Sequence, residues 1–476
     1  WASLDQPGDR LGACELPDLD RSNALWSHSL HCVNWDYVRF FVQRFIGIRS
    51  PIVTTVSCAV LPIGAGLADM YGRRPIIIFG AVVTILQLWL YYLASLPTVI
   101  GMDRWGILVY SGSVVNALGA STGSASNAML ADLVAPAERA KGFPLLAMVS
   151  GFGPILGYAI AFTLLSQYIA DYQWVWLVAT TSGVLLLLFN ICLLPESLPK
   201  SLRKPFTWRD LNPIMFYVRA FKLMLPDPVI LGLSVMAFLI GVGLGGWAAV
   251  VYTQLLVGPL LFTQEIAILP GVASTFAGVV CSGLAIGVNH RIGMWTAFIM
   301  GLIMCVIGFA AYGLWPVMFL ARNQLTAARV GPFIWGPLLA AGGAFATPAY
   351  LTIISGRVGP EDQAKAQSLI GFFYSVGAAI GTSVFSTVIF DAGATGHRAA
   401  LFCYVTAGIY ALTTGIIILT ACYDKRNPKP PTVPDTQTDG GKGEPKGLVA
   451  EGVAVSAEGL AERERRGSVN SAVADR

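Results

Sequence analysis

Apolar residues in this chain arrive in blocks of about 17 to 25, the length that spans a bilayer as a helix. Eleven such blocks fall near 51–68, 75–95, 105–130, 143–165, 174–194, 228–252, 265–288, 294–314, 331–355, 368–390 and 399–422. They lack the polar stripe at 3.6-residue spacing that marks a water-facing helix, so the pattern predicts a polytopic bundle of membrane helices. Most connections are short. The exceptions are the stretch Pro195 to Asp227 and the tail beyond Tyr423, where NPKPPTVPDT leads into a mixture of Gly, Glu and Lys. Such a tail cannot bury enough apolar surface to fold alone and reads as disordered.

The chain also repeats itself. GLADMYGRRP (Gly66 to Pro75) closes the first block and GVNHRIGMW (Gly287 to Trp295) closes the seventh, with Gly72 answered by Gly293. PAERAKG (Pro136 to Gly142) is echoed by PEDQAKA (Pro360 to Ala366), so the two pairs lie at offsets of 221 and 224 residues. Two matches in one order and nearly one register predict two homologous halves, the parallel-repeat plan of many secondary transporters. Sliding block 228–252 back by 221 lands on residues 7–31, a polar segment unable to span a membrane. The expected domains are therefore 1–50 as an extracytoplasmic segment, 51–194 as a first half lacking its first helix, 195–227 as a central loop, 228–422 as a second half, and 423–476 as the tail. The intact plan is six plus six, and a chain that opens at Trp1 without a signal-peptide core in its first thirty residues reads as truncated or processed at its start.

Composition adds an exclusion. Hydrophobic residues make up 55% and charged residues 12% of the 476, against about 25% charged in globular proteins, and mean hydropathy is +0.64. A water-soluble enzyme is excluded. The net charge of +4 is the small difference between 31 basic and 27 acidic residues and argues neither for nor against nucleic acid, which is not among the expected partners. Position matters more than total, because Lys and Arg accumulate in cytoplasmic connections. Alternate connections carry Arg73, Arg74, Arg139, Lys141, Lys200, Arg203, Lys204, Arg209, Arg219, Lys222, Arg291, Arg357 and Lys365, whereas the opposite set holds Arg104, Arg322, Arg329 and Arg398. This bias places the central loop and the tail in the cytoplasm and residues 1–50 on the other face. Six cysteines lie in or beside apolar blocks as small packing groups, while Cys14 and Cys32 in the polar first fifty residues are free to pair or not according to compartment.

The segment GAGLADMYGRRP resembles the signature between the second and third helices of the major facilitator superfamily, supplying Leu67, Ala68, Asp69, Gly72, Arg73 and Arg74. Ala65 and Met70 depart from its leading Gly and its first basic residue. ADLVAPAERAKGF, LPESLP (Leu194 to Pro199) and FATPAYLTIISGRVGPEDQAKAQSLIG together resemble the tetracycline-efflux-like group, which includes the hippocampus-abundant-transcript-like proteins; the likeness runs over about 51–422. GFGPILGY is similar to an antiporter signature at Gly153, Pro154 and Gly157, with Val149 and Tyr158 where Gly is expected. The resemblance implies an all-α membrane fold, a major-facilitator-type two-fold repeat with about eleven transmembrane helices of the intact twelve. It also implies that Asp69, Gly72, Arg73 and Arg74 latch the cytoplasmic side of the outward-open state, with Arg291 and Gly293 as the second-half echo.

Candidate cavity residues come from the polar helix at 105–130, where Asn116, Ala120, Ser124 and Asn127 recur at i, i+4, i+8 and i+11 on one face. By analogy with the helices that line the family's central path, Trp247 and Tyr252, then Trp335, Thr347 and Tyr350, join them. Aromatic walls with a few amides suit an amphipathic organic solute better than a sugar or an ion. No Lys, Arg, Asp or Glu lies well inside any block, so the carboxylate that proton coupling would use is not visible. His28, His31, His290 and His397 form no metal-ligand or nucleophile–base spacing, and no phosphate-binding loop for ATP is present. RRGS places Ser468 in a weak kinase-like context. The expected function is a secondary transporter of a small organic solute, monomeric in the lipid bilayer, with protons as a candidate coupling ion and no cofactor or metal. The alternatives are a transport-dead scaffold or receptor and, remotely, a membrane-embedded enzyme.

Overall fold

A backbone in hydrocarbon has no water to satisfy its N–H and C=O groups, and an α-helix satisfies them within itself. Each apolar block accordingly folds as helix. The computed structural model describes residues 35–96, 102–134, 138–167, 172–198, 203, 212–256, 259–262, 264–358, 363–391 and 396–427. The first half comprises α1 (Trp35–Tyr71), α2 (Arg73–Ala94), α3 (Met102–Ala117), α4 (Thr122–Leu133), α5 (Arg139–Gln167) and α6 (Tyr172–Cys192). A short amphipathic helix, α7 (Pro213–Met224), follows; Asn212 caps it by accepting from the Ile214 and Met215 N–H groups. The second half comprises α8 (Pro228–Val251), α9 (Gln264–Ile292), α10 (Met294–Leu320), α11 (Leu325–Arg357), α12 (Gln363–Val384) and α13 (Leu401–Arg426). Single π-helical turns extend α8 through Leu256 and α12 through Ile389.

Two elements differ from the apolar pattern. The first helix starts at Trp35 instead of near residue 51, bringing Arg44 and Arg49 into a continuous helix; the Arg49 guanidinium donates to the Tyr91 hydroxyl at 3.1 Å. The block 105–130 is not one span. The chain leaves α3 at Ala117 and re-enters helix at Thr122, with Thr122 Oγ1 returning a bond to the Gly119 carbonyl at 2.8 Å. Ser and Thr next to Gly offer the backbone these local alternatives to helical hydrogen bonds. Among the described residues, ten helices rather than eleven are long and apolar enough to cross a membrane.

The repeat is visible in the helices. α1 and α2 meet at Gly72, and α9 and α10 meet at Gly293; both glycines take left-handed φ values, 109° and 84°, which side-chain-bearing residues rarely adopt. From there α3 and α4 answer α11, α5 answers α12, and α6 answers α13. α8 has no counterpart among the described residues, because segment 7–31 lies outside them. The second half holds the large apolar core, built from Leu233, Met236, Phe298, Leu302, Phe309, Ile354 and Leu369 on four helices.

α8 and α12 approach almost backbone to backbone. A Cβ on Gly377 would sit 2.1 Å from the Phe238 carbonyl oxygen, and one on Gly381 2.0 Å from that of Val242. Small residues four apart are what permit such an approach between membrane helices. At the repeat offset of 224, Gly377 and Gly381 correspond to Gly153 and Gly157 on α5. There the equivalent Cβ atoms meet nothing within 4 Å.

Candidate functional site

Two clusters of charge close the end of the bundle that carries Gly72 and Gly293. In the first half, the Arg73 guanidinium, 5% exposed, lies 2.6 Å from Asp69 Oδ1 and 3.5 Å from Asp132 Oδ2. Glu196, from LPESLP, turns back onto the start of α2 and accepts from the backbone N–H groups of Arg73 at 2.9 Å and Arg74 at 3.2 Å. A carboxylate placed there satisfies orphan donors and faces the positive end of the helix dipole. It also occupies the space beside Gly72, where a Cβ would lie 2.2 Å from Glu196 Oε2. The Arg74 guanidinium donates to the Ile191 carbonyl. Burial pushes the Asp132 carboxyl above its usual range, and neighbouring Arg73 only partly opposes this.

The second-half cluster uses other residues than the sequence echo suggested. Gly293 makes the equivalent turn, but Arg291 is exposed. The cation is Arg357 at the end of α11, paired with Asp227 Oδ2 at 3.5 Å and with Asp424 Oδ1. Trp295 Nε1 donates to Asp424 Oδ2 at 2.8 Å, and Asp227 Oδ1 also caps α8 through the Val229 N–H. Asp227, Trp295, Arg357 and Asp424 lie far apart in sequence, so no local spacing marks them. Glu196 had a signal in LPESLP, but its target at the α2 N-terminus did not.

The halves are bridged at both ends. Near the Gly72 end, Arg139 Nη1 donates to the Ser355 carbonyl at 3.3 Å, and the Tyr217 hydroxyl on the connecting helix α7 donates to the Cys58 carbonyl of α1 at 2.6 Å. At the other end, Gln43 Nε2 donates to the Ala249 carbonyl at 3.0 Å and Ser383 Oγ to the Gly47 carbonyl at 2.9 Å.

Between these bridges lies a cavity of 480 Å³, lined by α1 and α4 and by α8, α10, α11, α12 and α13, with Ala120 from the turn before α4. Ser124, Asn127, Thr347 and Tyr350 line it as the helical spacing suggested. Asn116 does not: the break at 118–121 ends the i, i+4 register, leaving Asn116 exposed and outside the lining. Trp247 packs edge-on against Phe309 and Tyr312, Trp335 against Trp315, and Tyr252 opens the π-helical turn after α8; none of the three lines the cavity. Gln367, Ser368, Tyr374 and Tyr410 line it without having been singled out by the sequence. Gly153, Pro154 and Gly157 are exposed on α5 and away from it.

Repeat, tight turns and charged clusters agree with the comparison to known families, in which the model described as Major Facilitator Superfamily matches residues 43–382. The chain belongs to that superfamily. With ten membrane-length apolar helices among the described residues, it is a multi-pass integral membrane protein. Class C tetracycline resistance protein of Escherichia coli is 24% identical over 178 residues, which cover 36% of this chain and 40% of that relative. The chain therefore matches two fifths of that relative's length. Among solved structures, the human organic anion transporter MFSD10 (TETRAN) superposes with a TM-score of 0.58 at 18% identity, covering 78% of this chain and 83% of that one. The xylose transporter XylE from E. coli, in a partially occluded inward-open conformation, gives a TM-score of 0.52 at 14% identity, covering 83% and 97%. At such identities these structures speak for the shared superfamily fold alone.

Proposed function

We propose that the chain is a secondary transporter, not an enzyme, which moves a small organic solute by alternating access between its two halves. The observation that carries this reading is the 480 Å³ cavity with walls drawn from both halves and bridges above and below it. Its size lies within the usual range of about 300–1,000 Å³ for small-molecule sites. In this reading the Gly72 end is cytoplasmic, as the Lys and Arg bias requires, and Asp69, Arg73, Asp132 and Glu196 form the cytoplasmic latch with Arg357, Asp227 and Asp424 as its second-half partner. Opening toward the cytoplasm breaks the Arg139 and Tyr217 bridges; opening outward breaks those of Gln43 and Ser383. Protons remain the candidate coupling ion. Sidedness is tested with cysteines placed at Ser201 and Ser22, which react with an impermeant thiol reagent from opposite faces; labelling of both from one face overturns the orientation. Transport is tested by counterflow of candidate solutes into proteoliposomes, and no accumulation over protein-free vesicles across a chemically diverse panel overturns the reading.

The bare face at Gly153 and Gly157 favours a second reading, in which these residues by themselves hold solute without carrying it. In the second half the equivalent glycines seat α8, which contributes Met236, Ala237, Ile240 and Leu244 to the cavity wall. Among the described residues no helix seats on Gly153 and Gly157, which leaves the corresponding wall open. Supplying an apolar helix ahead of α1 and comparing flux with the 476-residue chain separates the two; equal flux removes the second reading.

A further inference from the structure

We infer that the cavity recognises an uncharged, hydrogen-bonding aromatic solute, and that Gln367 and Ser368 on α12 are the side chains that select it. The inference rests on the transporter reading above and names its substrate class. Gln367 is 6% exposed and Ser368 fully buried, and both line the cavity. Neither the amide nitrogen nor the amide oxygen of Gln367 has a hydrogen-bond partner, and the Ser368 hydroxyl has none either. Burying such groups without partners is costly, so a native fold retains them where something else completes them.

The internal repeat shows that packing does not require them. At the offset of 224, Gln367 and Ser368 correspond to Phe143 and Pro144 on α5, and Phe143 is buried at 2% exposure. The same helical position thus accommodates an apolar side chain in one half and holds an unsatisfied amide in the other. That asymmetry is expected of a group kept for a ligand and not for packing.

The chemistry of the lining sets the class of ligand. Among the described residues no Lys, Arg, Asp, Glu or His lines the cavity. An ionised solute entering it would shed its water and meet no countercharge. An amide offers one acceptor and two donors together, which complements a carboxamide, lactam or hydroxyl on the ligand. Ser124 is less available, because its hydroxyl already donates to the Ser121 carbonyl at 2.8 Å. Phe298, Tyr350 and Tyr410 line the rest with ring surface, against which a flat apolar body packs.

The test is equilibrium dialysis with the purified full chain in lipid nanodiscs, using three near-isosteric probes: naphthalene-2-carboxamide, 2-naphthoate and 2-naphthylmethylammonium. The carboxamide is expected to bind at least about ten-fold more tightly than either ion. Gln367→Leu is expected to cost it about ten-fold, the usual consequence of leaving a ligand amide unpaired; Gln367→Glu is expected to turn the preference toward the ammonium. Ser368→Ala, expected to cost about three-fold, carries the test should Gln367→Leu not fold by circular dichroism. No measurable binding of the carboxamide, binding of either ion as tight as the carboxamide, or unchanged affinity in the folded variants overturns the inference. Dialysis requires no transport. Selective binding without flux overturns the transporter reading and leaves this one standing, whereas selective flux of an ionised probe does the reverse.

Discussion

Alanine placed at Gly381 and at Gly157 should act with opposite sign, although the two positions are equivalent in the repeat. At Gly381 the added Cβ lies 2.0 Å from the Val242 carbonyl oxygen. Ordinary contact begins near 3.4 Å, so α8 must retreat from α12 by about 1.4 Å, or the helices must shear. A gap of roughly 0.5–1 Å already forfeits a quarter to a half of the dispersion well for each atom pair, and α8 and α12 share many such pairs around Phe238, Gly241, Val242 and Gly245. Overpacking of this kind costs about 1–3 kcal/mol, and a backbone oxygen cannot rotate away as a side chain can. We expect the upper end, about 3 kcal/mol. At Gly157 the new methyl meets nothing within 4 Å, so only helix propensity acts, favouring Ala by roughly 0.5–1 kcal/mol. Reversible unfolding in mixed micelles of dodecyl maltoside and SDS, followed by tryptophan fluorescence, measures both. Gly381→Ala should lower the SDS midpoint and Gly157→Ala should leave it unchanged or raise it. If Gly157→Ala destabilises as strongly as Gly381→Ala, a helix already lies on the Gly153 and Gly157 face of α5 and the bare-face argument fails; if neither moves the midpoint, the close approach of α8 and α12 is not a stability determinant.

Asp69→Asn weakens the Arg73 pair and Gly72→Val meets both the left-handed φ and the Glu196 carboxylate, so each should slow transport while leaving solute affinity intact, because neither residue lines the cavity; paired flux and dialysis measurements check this, and unchanged flux returns the cluster to a topology signal. Arg357→Ala removes the guanidinium that pairs with Asp424, whose side chain is 19% exposed, and should cost about 3 kcal/mol, whereas Arg357→Ala with Asp424→Asn should cost less; equal SDS midpoints for the single and double variants would show that the pair is not coupled. The raised Asp132 pKa means that the folded state holds this proton to higher pH than the unfolded chain, whose carboxyl titrates near its ordinary value of 3.8. The Asp132 contribution to stability is therefore fully present below 3.8 and declines as pH rises through the raised folded value, so Asp132→Asn should flatten the stability profile in that window; an unchanged slope would refute the assignment.

The helices were legible in the sequence because the requirement behind them is local: in hydrocarbon every backbone polar group must bond within its own segment, and block length alone reports that. The two-fold plan was legible for a related reason, since GLADMYGRRP with GVNHRIGMW and PAERAKG with PEDQAKA preserve their register along the chain. Even so, local competition defeated one block, where Gly119, Ser121 and Thr122 turned the polar face out of phase and separated Asn116 from Ser124 and Asn127. Whatever depended on two distant helices lay beyond the sequence. Register pointed to Arg291 as the second-half cation, yet the choice of Arg357 follows from where α8, α11 and α13 end against one another. Gln367 reads in the sequence as a polar residue near a helix end, and only the helix rotation that turns it inward places it in the lining of a cavity with its amide unpartnered. The glycines at 153 and 157 have the same spacing as those at 377 and 381, and spacing permits a close approach without stating whether a helix makes it. That was decided by tertiary contact alone, because steric fit is a property of two surfaces and the sequence of one helix encodes only its own.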